Sequence, residues 1–429
     1  MIGIGIIGLG TVGTGTYNVL TQNRSLIKQR TGLDMRMIRI AEIDPKKIRS
    51  SGVAKDLITK SAEMLIDDEN VDIVVELIGG IHPAYDFITR ALEKKKWVIT
   101  ANKALLAEKG DELFKTAEAN EREIGFEASV CGGIPVIRAI REGLVGNRIS
   151  YMLGILNGTS NYILTQMTET GMSFDQALID AQKLGFAEKD PTFDIEGIDA
   201  AHKLNILTRL AFSYPIHMKD IVVGGISKIK PIDIFFAREF GYKIKLLAMA
   251  KQVGDSIEAR VEPAMIPMSH PMSSVNGVFN AVYLIGDKVG PTLFYGKGAG
   301  ADPTGSAVVS DIVDIAAKIS AGNTAVRIPE YKTSKKRGEP RESLVPHYMR
   351  FSAEDRPGVL SKVSGILAQY GISISAVTQK ERKEGGFVPI VMLTHDAREK
   401  DLKKAKKTID NLSFIKGESV HMRVEEGNL

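Results

Sequence analysis

The stretch that decides the fold is IGIGIIGLGTVG, which runs from Ile2 to Gly13. A short apolar run ends in glycines and a helical pattern follows at once, so a strand precedes the motif and a helix begins within it. Gly8 permits a tight turn, Gly10 lets the backbone approach a pyrophosphate, and Gly13 lets the helix pack closely on the strand. Because this context is present on both sides, the stretch predicts a dinucleotide-binding loop rather than an ordinary turn.

The N-terminal part of the chain alternates apolar strands with amphipathic helices. The predicted strands are Ile2–Ile7, Met35–Ala41, Val71–Ile78, Trp97–Thr100 and Ile124–Ala128. The predicted helices are Val12–Gln29, His82–Lys95 and Lys103–Glu121. This alternation predicts a parallel sheet that is covered by helices on both faces.

The rest of the chain predicts two further regions. After Pro135 the pattern changes to mixed helices and strands, beginning with a predicted helix at Ile134–Leu144. Residues 329–347 are rich in proline, serine and charge and predict a linker. The tail then reads as a βαββαβ module of roughly 75 residues, a plausible size for an independent domain. The expected fold class is therefore α/β, with an N-terminal Rossmann-type parallel sheet, an α+β region and a C-terminal ferredoxin-like domain.

Composition narrows the classes of function. The chain has 429 residues, which suggests two or three domains, and a net charge of only +4, so neither nucleic acid nor a membrane is an expected partner. The N-terminus lacks the pattern of a signal peptide. Cys131 is the only cysteine, which excludes an intramolecular disulfide and favours a reducing, cytoplasmic location.

The end of the second predicted strand bears on the choice of dinucleotide. Glu42 occupies the place where an acidic residue binds the ribose hydroxyls of NAD, and Ile43 the place where an arginine would accept the phosphate of NADP. This favours NAD. Lys46, Lys47 and Arg49 follow closely, and a solvated helix face is a simpler interpretation of them than a dedicated phosphate site.

A second unusual stretch is AQKLGFAEKDPTFDIEGIDAAHKL, from Ala181 to Leu204, which collects five carboxylates and then Lys203. Asp199 and Lys203 are four residues apart and share one helix face. A solvated, salt-bridged loop is the simplest interpretation, but the helix continues with an apolar sequence suited to burial. A lysine beside carboxylates at the start of a buried helix is a candidate for proton transfer. The carboxylates suit a Mg- or Ca-like ion or, ranked first, a substrate ammonium group.

The same stretch resembles the signature of the homoserine dehydrogenase family, and the resemblance extends over the whole chain. Its fixed positions are Ala181, Gly185, Phe186, Ala187, Asp190, Pro191, Asp194, Gly197, Asp199 and Lys203. Similar segments are ITANKALLA with Lys103, EASVCGGIPVI, LNGTSNYIL and GKGAGADPTGSAVVSDI. The tail, with DRPGVL at Asp355–Leu360, resembles an ACT domain, a small amino-acid-sensing module.

The resemblance implies reversible NAD(P)-dependent reduction of L-aspartate 4-semialdehyde to L-homoserine, in threonine, methionine and isoleucine biosynthesis. Lys203 matches the lysine that passes a proton to or from the substrate oxygen, and Lys103 a second lysine close to nicotinamide and substrate. Glu188 and Asp199, supported by Asp194, match substrate-binding carboxylates. The cofactor-binding positions are Gly8, Gly10, Thr11, Val12, Gly13, Glu42, Lys103, Gly185 and Gly300. Since a free lysine has a pKa of about 10.4, Lys103 is expected to lower the pKa of Lys203 as a neighbouring cation.

The resemblance also implies a structural sodium ion and an effector site. The sodium ligands are Glu127 and the carbonyl groups of Val130, Gly132 and Ile134, in a loop that spacing alone would leave as a plain turn. Cys131 departs from the small residue that is usual at its position in the family. The effector would be threonine, bound at Asp355, Pro357, Gly358 and Val359, although a strand–helix connection there needs no ligand.

Four regions and an oligomer are expected from the same resemblance. Residues 1–133 form an NAD(P)-binding Rossmann domain that is completed by part of 300–320, and residues 134–328 form a catalytic and dimerisation domain. Residues 329–347 are the linker and residues 348–425 the ACT regulatory domain. A homodimer or homotetramer is expected, with pairing of the catalytic domains through their sheet region.

Two other functions compete with this one. Another oxidoreductase with a GxGxxG loop, acting on a sugar or amino acid, is disfavoured by the spacing from Ala181 to Lys203. A regulatory protein that binds nucleotides or amino acids without catalysis is disfavoured by the presence of both Lys103 and Lys203.

Overall fold

The computed structural model describes residues 1–214, 216–322, 336–337, 343–380 and 386–426. The strands, in chain order, are β1 Ile2–Ile7, β2 Met35–Ala41, β3 Ile58–Thr59, β4 Ile73–Glu76, β5 Trp97–Thr100, β6 Ile124–Gly125, β7 Ile149–Ile155, β8 Val222–Val223, β9 Tyr242–Val253, β10 Ser256–Pro267, β11 Phe279–Gly286, β12 Gly290–Lys297, β13 Lys336–Arg337, β14 Leu344–Val345, β15 His347–Glu354, β16 Ile374–Thr378, β17 Phe387–Thr394, β18 Ala397–Arg398 and β19 Val420–Val424. The helices are α1 Thr11–Gln22, α2 Arg24–Thr31, α3 Pro45–Ser50, α4 Ala62–Ile66, α5 Ala84–Glu93, α6 Lys103–Ala119, α7 Val136–Arg138, α8 Gly158–Thr170, α9 Phe174–Lys183, α10 Thr192–Ile195, α11 Ile198–Phe212, α12 Pro231–Glu239, α13 Ala301–Ser320, α14 Val359–Gln369 and α15 Glu399–Asp410.

Internal contacts divide the chain into two compact units. The first unit consists of Met1–Gly158, Asp199–Ile221 and Phe279–Lys335. The second unit consists of Thr159–Ile198, Val222–Val278 and Lys336–Leu429. Each unit is therefore assembled from segments that are far apart in the sequence.

The first unit contains the predicted parallel sheet. Its strand order is β3-β2-β1-β4-β5-β6, and every neighbouring pair is parallel. The order reverses between β1 and β4, so the connections from these strands leave in opposite directions. A crevice at the carboxyl ends of such a pair is where doubly wound sheets bind dinucleotides.

Helices cover both faces of this sheet, and its two central strands are buried and apolar apart from Glu76 at the end of β4. One face packs Ile4, Ile6 and Val75 against Val308 and Ile312 of α13. A Cβ at Gly15 of α1 would lie 2.1 Å from the Ala301 carbonyl oxygen, so α1 and α13 approach at a distance that only glycine allows. In the described part of the chain, no helix combines the length and hydropathy needed to cross a membrane.

A second, antiparallel sheet of the first unit joins β7, β11 and β12. Ile155 of β7 pairs with Ala281 of β11, and Phe279 of β11 pairs with Lys297 of β12. The segment that follows β7 begins with Leu156 and Asn157, and both contribute to the site described below. The sheet thus places the end of β7 beside the start of β11.

The second unit contains the predicted βαββαβ module. Its order along the chain is β15, α14, β16, β17, α15, β19, and its sheet order is β19-β15-β17-β16. The hairpin of β9 and β10 extends this sheet, because Ala264 and Met265 of β10 pair in parallel with Arg423 and Val424 of β19. The predicted fold class is confirmed. Most of the predicted linker at 329–347 lies outside the described residues.

Two predicted helices differ from the observed ones. The helix predicted at Val12–Gln29 is divided at Asn23, where α1 ends and α2 begins. Because no residue of α2 is buried, the pattern of apolar residues gives no sign of this division. The helix predicted at Ile134–Leu144 is only one turn of α-helix, α7, followed by a π-helical turn at Ala139–Gly143. Periodicity does not distinguish these turns from a regular helix because the same side chains face the core.

The module and the hairpin meet around a group of buried charges and imidazoles. Arg260 of β10 lies 2.9 Å from Glu399 of α15, with side chains 1% and 3% exposed. Although burial alone would raise the pKa of Glu399, the charge of Arg260 and hydrogen bonds from Lys403 and Arg260 lower it to about 2. Burial lowers the pKa of His347 to about 3 and that of His421 to about 4.

This group predicts that acid destabilises the protein. A histidine has a pKa of about 6.5 in the unfolded chain, whereas the pKa of His421 in the folded protein is about 4. The neutral imidazole therefore makes its full contribution to the free energy of unfolding above pH 6.5, and this contribution is lost as pH falls. At pH 5 the loss is about 2 kcal/mol for each of His347 and His421. Glu399 adds a further loss only below about pH 4.5, where its unfolded form begins to take up protons.

The measurement is urea unfolding followed by far-UV circular dichroism at pH 7 and pH 5. We expect the free energy of unfolding to differ less between pH 7 and pH 5 in His421→Gln than in the wild-type protein. The control is His82→Gln, because the His82 side chain is 67% exposed. An equal pH dependence in wild type and His421→Gln would contradict the prediction.

Candidate functional site

The glycine loop after β1 has the geometry that the sequence predicts. Gly8 has φ +104°, and a Cβ at Gly13 would lie 2.0 Å from the Gly8 carbonyl oxygen. Both positions therefore require glycine. A Cβ at Gly10 would meet no atom within 4 Å, so this face of the loop is open. The open face and the first-turn amides of α1, at Thr11 and Val12, fit the pyrophosphate of a dinucleotide.

Glu42 lies at the end of β2 and is 7% exposed. One carboxylate oxygen accepts from the Leu9 amide at 2.8 Å. The other accepts from the amides of Ile43 and Asp44 at 2.8 and 2.9 Å. The sequence predicts that Glu42 binds the ribose, and in the structure its carboxylate also fixes the backbone of the glycine loop.

A buried carboxylate orders the loops after β4 and β5. Glu76 is fully buried and accepts from the Thr100 hydroxyl at 2.6 Å and from the Ile78 amide at 2.8 Å. Asn102 caps α6 and donates to the Gly80 carbonyl at 2.6 Å. These contacts fix the backbone that carries Lys103, the first residue of α6.

The centre of the candidate site is the pair of Asp199 and Lys203 on α11. The Lys203 ammonium donates to one Asp199 oxygen at 2.7 Å and to the Leu156 carbonyl at 2.7 Å. The Lys103 ammonium lies 3.2 Å from the other Asp199 oxygen. The side chains of Asp199 and Lys203 are 8% and 11% exposed, whereas that of Lys103 is 37% exposed. The structure therefore brings both predicted lysines to a single buried carboxylate.

The charges around Asp199 shift its pKa. Burial alone would raise the pKa of Asp199, but the charges of Lys203 and Lys103 and hydrogen bonds from Lys203 and Asn157 hold it well below its usual range. The sequence predicts that Lys103 acts on Lys203 as a neighbouring cation. In the structure, the Asp199 carboxylate lies between the two ammonium groups, 2.7 Å from that of Lys203 and 3.2 Å from that of Lys103.

Two side chains of this site are not among the residues that the sequence predicts. Asn157 donates to Asp199 at 2.9 Å, and Asn280 donates to the Leu156 carbonyl at 3.0 Å. Asn157 follows β7 within the quoted segment LNGTSNYIL. The signal for Asn280 is a polar residue among apolar ones in a strand, since it is 1% exposed within β11.

The remaining predicted substrate residues, Glu188 and Asp194, belong to the second unit. Glu188 is exposed in the connection between α9 and α10, and its carbonyl accepts from Gln182 at 3.1 Å. Asp194, in α10, is partly exposed, and its carbonyl accepts from the Ser160 hydroxyl at 2.8 Å. Gly185 has φ +74°, a conformation that favours glycine.

The predicted sodium loop follows β6 in the first unit. The two Glu127 carboxylate oxygens accept from the amides of Ile137 and Arg138, each at 2.8 Å, at the start of α7. The carbonyl of Ile134 accepts from the Val136 amide at 2.7 Å. These bonds leave further lone pairs on each oxygen, so the set remains compatible with a hard monovalent ion.

Two side chains in and beside this loop, those of Cys131 and Asp311, have raised pKa values. Burial raises the pKa of Asp311, whose carboxylate accepts from the Glu127 amide at 2.8 Å, to about 7. Burial raises the pKa of the Cys131 thiol to about 11. Among the described residues, no group of three or more His, Cys, Asp or Glu side chains is arranged to hold a metal ion.

The predicted effector loop lies between β15 and α14 in the second unit. Gly358 caps α14 with φ +89°. Pro357 and Gly358 are exposed, Asp355 is half-buried, and Val359 is 4% exposed in the module core. The loop thus presents the first-turn amides of α14 at the surface.

Three family profiles match this chain, and their ranges include the glycine loop, the Asp199–Lys203 pair and most of the C-terminal module. The profile described as "Homoserine dehydrogenase, NAD binding domain" matches residues 8–127, the profile "Homoserine dehydrogenase" matches 135–313, and the ACT domain profile matches 347–414. The class that the fold and these matches define is an NAD(P)-dependent oxidoreductase with a C-terminal ACT domain.

Individual relatives narrow the class further. A homoserine dehydrogenase of Helicobacter pylori is 45% identical over 425 residues, covering 99% of each chain. The crystal structure of a homoserine dehydrogenase from Thiobacillus denitrificans has a TM-score of 0.93 and 43% identity, covering 99% of this chain and 98% of that one. A hyperthermophilic archaeal homoserine dehydrogenase mutant in complex with NADPH has a TM-score of 0.62 and 26% identity, covering 76% and 99%.

The chain belongs to the homoserine dehydrogenase family. The activity expected from the sequence is confirmed: an NAD(P)-dependent oxidoreductase that interconverts L-aspartate 4-semialdehyde and L-homoserine.

Proposed function

We propose that Lys203 transfers the proton in this reaction and that Asp199 and Lys103 support it. The observation that carries the proposal is the Lys203 ammonium, held at 2.7 Å by both Asp199 and the Leu156 carbonyl in a largely buried position. These two acceptors fix the direction of the ammonium group. The group is thereby oriented before the substrate arrives.

The chemistry requires a proton donor of this kind. A nicotinamide dinucleotide bound at the glycine loop would supply the hydride to the aldehyde carbon, and negative charge would then develop on the aldehyde oxygen. Lys203 stabilises that charge and donates the proton, while Lys103 adds a second positive charge near the same carboxylate. In the oxidative direction the neutral amine form of Lys203 accepts the proton of the homoserine hydroxyl and becomes the ammonium form. Asp199 keeps the lysine oriented in both directions.

We propose that Glu188 and Asp199 hold the substrate, with Asp194 in support. A substrate ammonium group is matched by carboxylates, and Glu188 is exposed with its carboxylate available. Glu188→Gln should raise KM for homoserine more than it lowers kcat, since the amide keeps the shape and loses the charge. Asp190→Asn is the control, because Asp190 accepts from the Thr192 hydroxyl at 2.6 Å as a loop cap.

The dinucleotide is proposed to bind the open glycine loop, with Gly8, Gly10, Thr11, Val12 and Gly13 at the pyrophosphate. Glu42, Lys103, Gly185 and Gly300 complete the proposed cofactor-binding set. The negative charge of Glu42 disfavours a 2′-phosphate, which favours NAD. Lys46, Lys47 and Arg49 are exposed near the end of β2, and the structure of the archaeal relative is of a complex with NADPH, so NADP is the second candidate. The comparison of kcat/KM for the two dinucleotides decides between them.

A structural sodium ion is proposed for the loop of Glu127, Val130, Gly132 and Ile134. The support is a set of oxygen donors that suits a hard cation. The test compares melting temperature in sodium chloride and in choline chloride at equal ionic strength. A higher melting temperature in sodium, lost in Glu127→Gln, supports the site, and equal values contradict it.

The ACT domain is proposed to bind threonine at Asp355, Pro357, Gly358 and Val359. The exposed amides of α14 and the left-handed Gly358 suit a carboxylate. Threonine should lower activity and raise the melting temperature of the wild-type protein, and Gly358→Val should abolish both effects. If threonine changes neither property, the domain serves oligomerisation only.

The proposed domain limits are those of the sequence: 1–133 with part of 300–320, 134–328, 329–347 and 348–425. A homodimer or homotetramer in the cytoplasm, acting in threonine, methionine and isoleucine biosynthesis, completes the proposal. Sedimentation of the full chain tests the oligomeric state.

The enzymatic test is oxidation of L-homoserine with NAD and with NADP, each with and without threonine. If neither NAD nor NADP supports turnover, the proposed function is wrong.

A further inference from the structure

The Leu156 carbonyl has an unusual place in the first unit. It follows the last residue pair of the β7–β11 ladder, Ile155 with Ala281, and precedes α8. Its oxygen accepts two hydrogen bonds, from Lys203 at 2.7 Å and from the Asn280 amide at 3.0 Å. A carbonyl oxygen has two lone pairs, so these two donors satisfy it.

Asn280 is held in place by close packing. A Cβ at Gly298 would lie 2.2 Å from the Asn280 side-chain carbon, so the side chain fills space that only glycine leaves. Asn280 itself is 1% exposed. Its orientation is therefore fixed by packing and not by solvent.

We propose that Asn280 is a positioning residue for proton transfer: its amide holds the Leu156 carbonyl in the orientation in which that oxygen accepts from the Lys203 ammonium. Without the amide, the carbonyl keeps one unsatisfied lone pair in a buried place and turns toward another donor. Lys203 then loses the Leu156 carbonyl as an acceptor. This inference rests on the proposed role of Lys203.

The first experiment compares two buried asparagines of the same unit. Asn280→Leu removes the amide with little change in volume and should lower kcat by about 10- to 100-fold, because small displacements of a reacting group have effects of this size. KM for homoserine and for the dinucleotide should change less than about twofold, since the proposal places Asn280 in contact with neither.

The matched control is Asn205→Leu. Asn205 is also fully buried, and its amide donates at 2.6 Å to the Ile216 carbonyl, which also accepts from the cationic Arg209 at 3.5 Å. The same kind of bond is lost from the same unit, away from the Lys203 ammonium. Both variants should lose melting temperature, but only Asn280→Leu should lose kcat. An unchanged kcat in Asn280→Leu, or an equal loss in Asn205→Leu, overturns the proposal.

A second variant tests the same contact without changing Asn280. Gly298→Ala places a methyl group on the Asn280 side chain and should lower kcat in the same way as Asn280→Leu. The double variant should be no slower than Asn280→Leu alone, because both changes remove one interaction. Effects that multiply contradict the proposal. Lys203→Met separates the role of Lys203 in proton transfer from the role of Asn280 in positioning. If Lys203→Met retains turnover, the proton-transfer role is wrong. If Lys203→Met loses turnover and Asn280→Leu does not, only the positioning role is wrong.

Discussion

Replacing Lys203 by methionine is expected to lower kcat for homoserine oxidation by about a thousandfold, within the range of general acid–base catalysis. Methionine keeps most of the volume of the side chain and cannot hold or move a proton. The dinucleotide should still bind with nearly unchanged affinity, because the glycine loop lies on β1 and α1 and Lys203 on α11. Steady-state kinetics and a fluorescence titration with the dinucleotide measure the two quantities.

Lys203→Arg separates charge from proton transfer. Arginine retains the positive charge beside Asp199, but its pKa above about 12 prevents proton exchange at neutral pH. We therefore expect kcat to fall nearly as far as in Lys203→Met, with a smaller loss of melting temperature. Lys407→Met, at an exposed position of α15, is the control for loss of a lysine. Near-normal turnover in both Lys203 variants would remove this residue from the mechanism.

Asp199→Asn is expected to have the second largest effect. The change leaves the shape but removes the charge between Lys203 and Lys103, whose ammonium groups lie 2.7 and 3.2 Å from its oxygens. We expect kcat to fall by about a hundredfold, because the lysine loses the acceptor that orients it. The free energy of unfolding should fall by about 3 kcal/mol, since removing one member of a buried charge pair leaves its partners uncompensated.

The pH dependence of this loss has a definite sign. The pKa of Asp199 is held below its usual range in the folded protein, so its contribution is present above the unfolded value of about 3.9 and is lost only below it. The stability difference between wild type and Asp199→Asn should therefore be constant from pH 5 to pH 9. Asp190→Asn, at an exposed loop cap, is the control. A difference that disappears within this range would show that Asp199 is not a charged partner of the lysines.

The sequence predicted the members of the site better than their arrangement. The spacing of Asp199 and Lys203 placed them on one helix face, and the resemblance supplied Lys103. The sequence did not show that Asp199 lies between the two lysines, because this arrangement depends on how α6 packs against α11. Asn280 was missed for the same reason, since a single polar residue in an apolar strand has no local partner to reveal its role.

Local chemistry by itself determined the sheet and its glycine loop. The apolar run of β1, the tight turn at Gly8 and the close packing at Gly13 depend on neighbours within a few residues, so they can be read from the chain. The tertiary structure alone decided what the polar groups bind: Glu42 caps the glycine loop, Glu127 caps α7, and Leu156 accepts from Lys203. Hydrogen bonds are short and directional, and their partners are set by the packing of distant segments, which periodicity and spacing do not encode.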